Sequence, residues 1–213
     1  MQLPQWDTGI VEGRWGLLEG HAYQYLCRCL AQLRLNDIQP DPRLLVNSQK
    51  TMDYLIGGDG LLIPGLCSYQ EAWHSNQQGF WKLGETCSTA YLIRWLGELL
   101  QREGYSFYGD IIERSVYNGL FAAQSPDGRQ LRYYAPFEGP RGYFSLDTFC
   151  CPCNYRRIIA ELPEMIYYKT EEGVAVNLYA ESSAELEIRP GIPLTIRQET
   201  DYPNSGEVGI CLE

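Results

Sequence analysis

Three cysteines fall within four positions of the stretch TFCCPCNYRR, at Cys150, Cys151 and Cys153. Clustered thiols can hold a soft metal, form a disulfide, attack an electrophile, or pack as small apolar groups. Adjacent cysteines do not form a relaxed disulfide with each other, because the bridge between them is strained. Both can reach one metal where a turn-former follows, and Pro152 follows here. Upstream, GETC supplies two further donors, Glu85 and Cys87, near a predicted helix start. Thiolates with a carboxylate favour zinc over magnesium or calcium. The spacing is not that of a ribbon or finger, since paired C-x2-C units are missing. Nor is it that of a zinc deaminase: HAY lacks the H-x-E partner and PCNYR lacks the second cysteine of P-C-x-x-C. On spacing alone, a metal site and a set of buried free thiols both remain open.

These residues must be positioned by what reads as a helical framework. GRWGLLEGHAYQYLCRCLAQLRL places Leu18, Tyr25, Leu26, Cys29, Leu30 and Leu33 at helical spacing. PDPRLLVNSQKTMDYLIG predicts a second helix, with Pro in its first turn and Gly57 and Gly58 at its end. A Gly-rich aromatic loop over residues 57–81 separates it from a third helix, GETCSTAYLIRWLGELLQREG, closed by Gly104. SFYGDIIERSVYNGLFAAQ predicts a fourth helix, ended by the turn signal SPDGR. A shorter helix, NYRRIIAELPEMIYY, is expected after the cysteine cluster and stops near Pro163. From about Gly173 the period becomes two: GVAVNLYAESSAELEI alternates, and two more alternating runs flank YPNSG. Helices followed by strands predict an α domain and then the start of a β domain. The expected boundaries are 1–170 and 171–213, with the chain a fragment at both ends.

The 213 residues are 45% hydrophobic and 21% charged, the composition of a globular chain. A net charge of −10 argues against nucleic acid or an anionic membrane as partner, since both need clustered Lys and Arg. No apolar run approaches the roughly 20 residues of a membrane span. No signal peptide is visible in residues 1–10, so the cytoplasm is the expected compartment and reduced thiols the expected state.

LGETC, YSFYGDIIERSVYNGLFAAQSPDGRQLRYYAPFEG, FCCPCNYRRIIAELPEMIYY and GVAVNLY, in this order, resemble glycoside hydrolase family 127. The resemblance runs from about Gly20 to the C-terminus. It implies the later part of an (α/α)6 barrel followed by the start of a β-sandwich. It also implies a β-L-arabinofuranosidase-type enzyme that hydrolyses a furanoside with retention. By the same resemblance Glu85, Cys87, Cys150 and Cys151 hold Zn2+, Cys150 is the nucleophile, and His21 and Tyr133 lie at the sugar. The Gly-Glu-x-Phe stretch that the family carries ahead of the metal-binding Glu is absent here. The nearest carboxylate is Glu71, 14 residues before Glu85, and it is the expected proton donor.

His74 would sit one helical turn past Glu71 if that loop coils, placed to tune the carboxylate or hold a sugar hydroxyl. Trp73 and Trp81 are candidate stacking platforms or buried aromatics. Tyr134 is expected to pack, Cys153 to be a bystander, and Arg156 and Arg157 to cap or to pair with Glu113 or Asp147. The chief alternative function is a zinc-stabilised carbohydrate-binding or structural module without turnover. A thiol redox or metal-storage role fits the aromatic loop less well.

Overall fold

The structure is a computed structural model that describes residues 20–73, 77, 82–140, 142–144 and 149–213. It divides into two compact units, Met1–Ile159 and Ala160–Glu213. The first is helical. Helix α1 (Ala22–Ile38) buries Ala22, Tyr25, Leu26, Cys29 and Leu33, four of them on the expected stripe. The residues that precede Gly20, Leu18 included, lie outside the described part. A 3₁₀ turn (Pro42–Leu45), capped by the Asp41 carboxylate on the Arg43 amide, leads into α2 (Val46–Gly57).

Helix α3 (Thr86–Glu103) is the centre of this unit and buries Trp95, Leu92, Ile93 and Leu96 completely. Gly104 ends it with φ +70°, the left-handed cap that glycine takes without steric cost. Helices α1 and α4 (Ser106–Ser115) both pack on α3. A buried polar seam joins the first three helices. Trp95 Nε1 donates to Ser48 Oγ at 3.1 Å, Tyr25 OH donates to Asn47 Oδ1 at 3.3 Å, and Asn47 Nδ2 donates to Gln32 Oε1 at 3.1 Å. Pairing these groups removes the cost of burying them. At the far end Arg102 pairs with Asp37 and Glu98, tying α3 to α1.

The fourth expected helix is interrupted. After α4 the chain widens into a π-turn (Val116–Leu120) before a short α5 (Phe121–Ala123). A Cβ on Gly119 in that turn would lie 2.0 Å from Leu66 Cδ2, so the turn and the Gly-rich loop approach as only glycine permits.

Helix α6 (Cys150–Glu161) corrects one expectation. The sequence reading starts this helix after the cysteine cluster, whereas the cluster is itself its first turn. Pro152 is tolerated there because the first turn of a helix has no carbonyl for its missing amide to reach. The helix ends at Glu161, near Pro163 as expected. A 3₁₀ turn (Leu162–Met165) precedes strand β1 (Tyr167–Lys169), which pairs with β2 (Val174–Val176) as an antiparallel hairpin.

The second unit also holds the antiparallel sheet β3–β4–β5, formed by Ser182–Arg189, Ile192–Thr200 and Val208–Leu212. Strand β3 alternates half-buried and exposed residues without a break, the period that its sequence predicts. Gln198 is fully buried on β4 and donates to Leu178 O at 3.1 Å. The molecule is thus helical with small antiparallel sheets after the helices.

Candidate metal and catalytic site

Four segments converge at one end of α3. The first is the start of α3 itself. Gly84 has φ +63°, and a Cβ there would meet Leu66 Cδ1 at 2.5 Å, so glycine sets the approach of the chain to Glu85. Glu85 is the N-cap residue of α3 and Cys87 lies in its first turn. The second is the segment through Tyr133, whose carbonyl accepts from the Thr86 amide at 2.9 Å. The third is the first turn of α6, which carries Cys150 and Cys151. The fourth is the loop strand at Glu71, whose carbonyl accepts from the Ala22 amide at 2.8 Å and so brings His21 alongside.

The sulfurs and one carboxylate oxygen of Glu85, Cys87, Cys150 and Cys151 all lie within 4.8 Å of one another. Cys87 Sγ and Cys151 Sγ are 3.3 Å apart, and Cys151 Sγ is 3.8 Å from Glu85 Oε1. Ligands on a tetrahedral zinc at about 2.3 Å would be separated by roughly 3.7 Å, so these spacings suit such an ion. Glu85, Cys87 and Cys151 are fully buried, and Cys150 is partly exposed. Burial pushes the Glu85 carboxyl up to about 7. The Cys87 thiol is raised chiefly by its contact with Cys151, and Cys150 by burial and then by Cys87. Four groups that would each become anionic thus crowd one dry space, where they repel one another unless a cation joins them. A divalent ion fits this donor set in number, type and distance.

Neighbouring groups orient the donors. Ser88 Oγ donates to Glu85 Oε2 at 2.9 Å, and Asn154 Nδ2, one turn along α6 from Cys151, donates to Cys87 Sγ at 3.1 Å. Such contacts fix ligand direction as the ligands themselves do not.

Beside this cluster lies a second group. His21 Nε2 is 3.7 Å from Glu71 Oε2 and 3.5 Å from Glu85 Oε1. Burial lowers the His21 pKa, with Glu71 opposing that shift. Tyr133 OH donates to Glu71 Oε1 at 2.5 Å and lies 3.7 Å from Cys150 Sγ. Glu71 and Cys150 therefore lie within about 6 Å of each other, near the roughly 5 Å separation of a retaining pair. Glu71 has φ +68°, in a run with Ser68 and Gln70 that also takes positive φ. Non-glycine residues adopt this region at a cost, and such strain collects where a side chain must be aimed.

Glu71, His21, Tyr133, Glu85, Cys87, Cys150 and Cys151 are thus all brought together. His74 and Trp81 lie outside the described residues. Trp73 packs edge-on against Tyr25 and Tyr54, at 5.7 and 6.1 Å between ring centroids. Cys153 is not among the clustered donors. Arg157 Nη1 reaches Asn154 Oδ1 at 3.5 Å. Sequence reasoning missed Asn154, which lies in the motif but was given no role. Tyr134 packs as expected, its ring 4.7 Å from that of Tyr133, and it bridges by its backbone to Glu85.

Comparison with known proteins adds independent findings. A family model described as the β-L-arabinofuranosidase, GH127 catalytic domain matches residues 20–164. A non-reducing end β-L-arabinofuranosidase of Bifidobacterium longum subsp. longum is 29% identical over 139 residues, covering 59% of this chain and 21% of the relative. A GH127 β-L-arabinofuranosidase from Geobacillus stearothermophilus T6 superposes with a TM-score of 0.80 at 26% identity, covering 91% of this chain and 33% of the other. A solved GH127 β-arabinofuranosidase superposes with a TM-score of 0.81 at 27% identity, covering 91% of this chain and 31% of the other. The chain thus spans about a fifth of the curated relative's length and about a third of the solved enzymes' lengths.

Proposed function

The chain belongs to the GH127 β-L-arabinofuranosidase catalytic-domain family, and from that premise we propose that it carries the catalytic centre of a zinc-dependent retaining furanosidase. The substrate class is a β-linked L-arabinofuranoside or a similar furanoside. The helices would then be part of an (α/α)6 barrel, and the β3–β5 sheet the start of a β-sandwich.

The observation that carries this reading is the Tyr133 hydroxyl, which touches Glu71 and Cys150 together at the mouth of the four-donor cluster. In the proposed reaction Cys150 Sγ attacks the anomeric carbon as the glycosidic C–O bond breaks. Glu71 gives its proton to the departing oxygen, leaving a thioglycoside on Cys150 and a carboxylate at Glu71. That carboxylate then takes a proton from water, which attacks the anomeric carbon and releases the thiolate. Tyr133 orients both reacting groups through its hydroxyl, and His21 sits where it can hold a sugar hydroxyl or the Glu71 carboxylate. Glu85, Cys87, Cys150 and Cys151 would hold zinc, which when bound keeps thiols deprotonated at neutral pH.

The test is hydrolysis of an aryl β-L-arabinofuranoside by the chain within its full-length protein. Glu71→Gln should stop release of a poor leaving group yet still give a burst of a good one, with the later water step slowed and metal content unchanged. Turnover of both substrates at the wild-type rate would remove Glu71 from the role. Stoichiometric zinc with no turnover in the wild type would favour the binding-module alternative.

A further inference from the structure

Leu131 and Tyr133 pack toward Cys87 and Cys151, and Arg132 between them is not part of that cluster. The backbone of Arg132 is held on both counts: its amide donates to Ala123 O at 2.8 Å, and its carbonyl accepts from Thr86 Oγ1 at 2.8 Å. Arg132 as a residue is only 5% exposed, yet among the described residues no carboxylate pairs with it and its Nε has no acceptor. The guanidinium lies over the Tyr143 ring, 5.4 Å from its centroid. It lines a cavity of about 410 Å³ together with Asn118, Pro136 and Phe137. Glu138, beside these residues in the chain, lines the adjoining cavity with Tyr133 and Tyr143 and does not pair with Arg132.

A guanidinium cannot shed its proton to escape burial. A buried cation with no internal counter-charge is costly, and removing it from water is offset only by an opposite charge or by several acceptors. Among the described residues nothing supplies that charge, and the planar fork of arginine selects an oxyanion. We propose that Arg132 anchors a binding site for an oxyanion-bearing ligand of about monosaccharide size, a sugar carboxylate being the form that the Asn118, Pro136 and Phe137 walls suit. The cavity volume matches a ligand of that size. The site shares none of the metal-cluster donors and stands whether or not the glycosidase reading holds.

The experiment is calorimetric titration of the protein with D-glucuronate, D-glucose and inorganic phosphate at low ionic strength, before and after metal removal. Glucuronate is expected to bind saturably at one site, about tenfold or more tighter than glucose, and independently of the metal. Arg132→Gln should lose that preference. Because this variant removes a buried side chain, circular dichroism must show that it folds. Asn118→Asp provides the second arm: it places an internal carboxylate in the cavity and should abolish glucuronate binding without disturbing the core. Arg132-dependent binding of phosphate but not of glucuronate would assign the same oxyanion site to a free anion in place of a sugar acid. Equal binding of glucuronate and glucose, undiminished binding by folded Arg132→Gln or by Asn118→Asp, or no binding of either anion would overturn the proposal.

Discussion

Replacing Tyr133 with Phe removes one oxygen and leaves the ring in place. That ring is held by Tyr134 at 4.7 Å and Phe144 at 5.9 Å between centroids, so its packing survives the change. What is lost is the donor to Glu71 at 2.5 Å and the contact to Cys150 at 3.7 Å. A hydrogen bond to a charged acceptor contributes about 1.5–3 kcal/mol. If that contribution is realised in the transition state, kcat falls roughly 10- to 150-fold, since each 1.4 kcal/mol is about a factor of ten. The assay is steady-state hydrolysis of an aryl β-L-arabinofuranoside by wild type and Tyr133→Phe, with thermal melts and metal analysis on the same preparations. The expected result is a fall in kcat in that range, with zinc content unchanged and stability within about 1 kcal/mol. A kcat within twofold of wild type would refute the argument that this hydroxyl organises the reacting pair. A loss of metal or of fold in step with activity would show that Tyr133 acts structurally.

Three further outcomes follow from the framework. Trp95→Ala empties a fully buried site and strands the Ser48 hydroxyl, so chemical denaturation should show a loss of about 3–5 kcal/mol. Gly84→Ala puts a Cβ 2.5 Å from Leu66 at φ +63° and should cost more than about 1 kcal/mol, with weaker metal binding because Glu85 follows directly. Burial pushes the Cys29 thiol up to about 12. A group held protonated in the fold stabilises fully below its unfolded pKa, and that contribution is lost as pH rises toward the folded value. Mapping of alkylated peptides at pH 8 should therefore find exposed Cys27 modified and Cys29 untouched until denaturant is added.

The framework was legible where local chemistry decides it. The stripe of α1, the Gly104 cap of α3 and the YPNSG break between β4 and β5 follow from periodicity and turn residues alone. The start of α6 was not legible, because Pro152 signals a turn in one context and a first helical position in another. The β1–β2 hairpin was hidden because MIYYK reads equally as the end of a helix or as a strand until its partner is known. For the site, spacing left metal and free thiols both open. Four donors on two helices meet only through tertiary packing, and it was family resemblance that selected Glu85, Cys87, Cys150 and Cys151. The role of Asn154 could have been suspected, since it lies one turn from Cys151 on the same helix face. Arg132 offered no such signal: a basic residue in RQLRYYAP looks solvated until its burial is known.

The most direct test of the central claim is X-ray absorption at the zinc edge on reduced, anaerobically purified protein. The account predicts near-stoichiometric zinc with three sulfur neighbours at about 2.3 Å and one oxygen at about 2.0–2.2 Å, falling to two sulfurs in Cys87→Ala. A shell of four sulfurs, a shell without sulfur, or no bound zinc at all would contradict the assignment of Glu85, Cys87, Cys150 and Cys151 as the metal site.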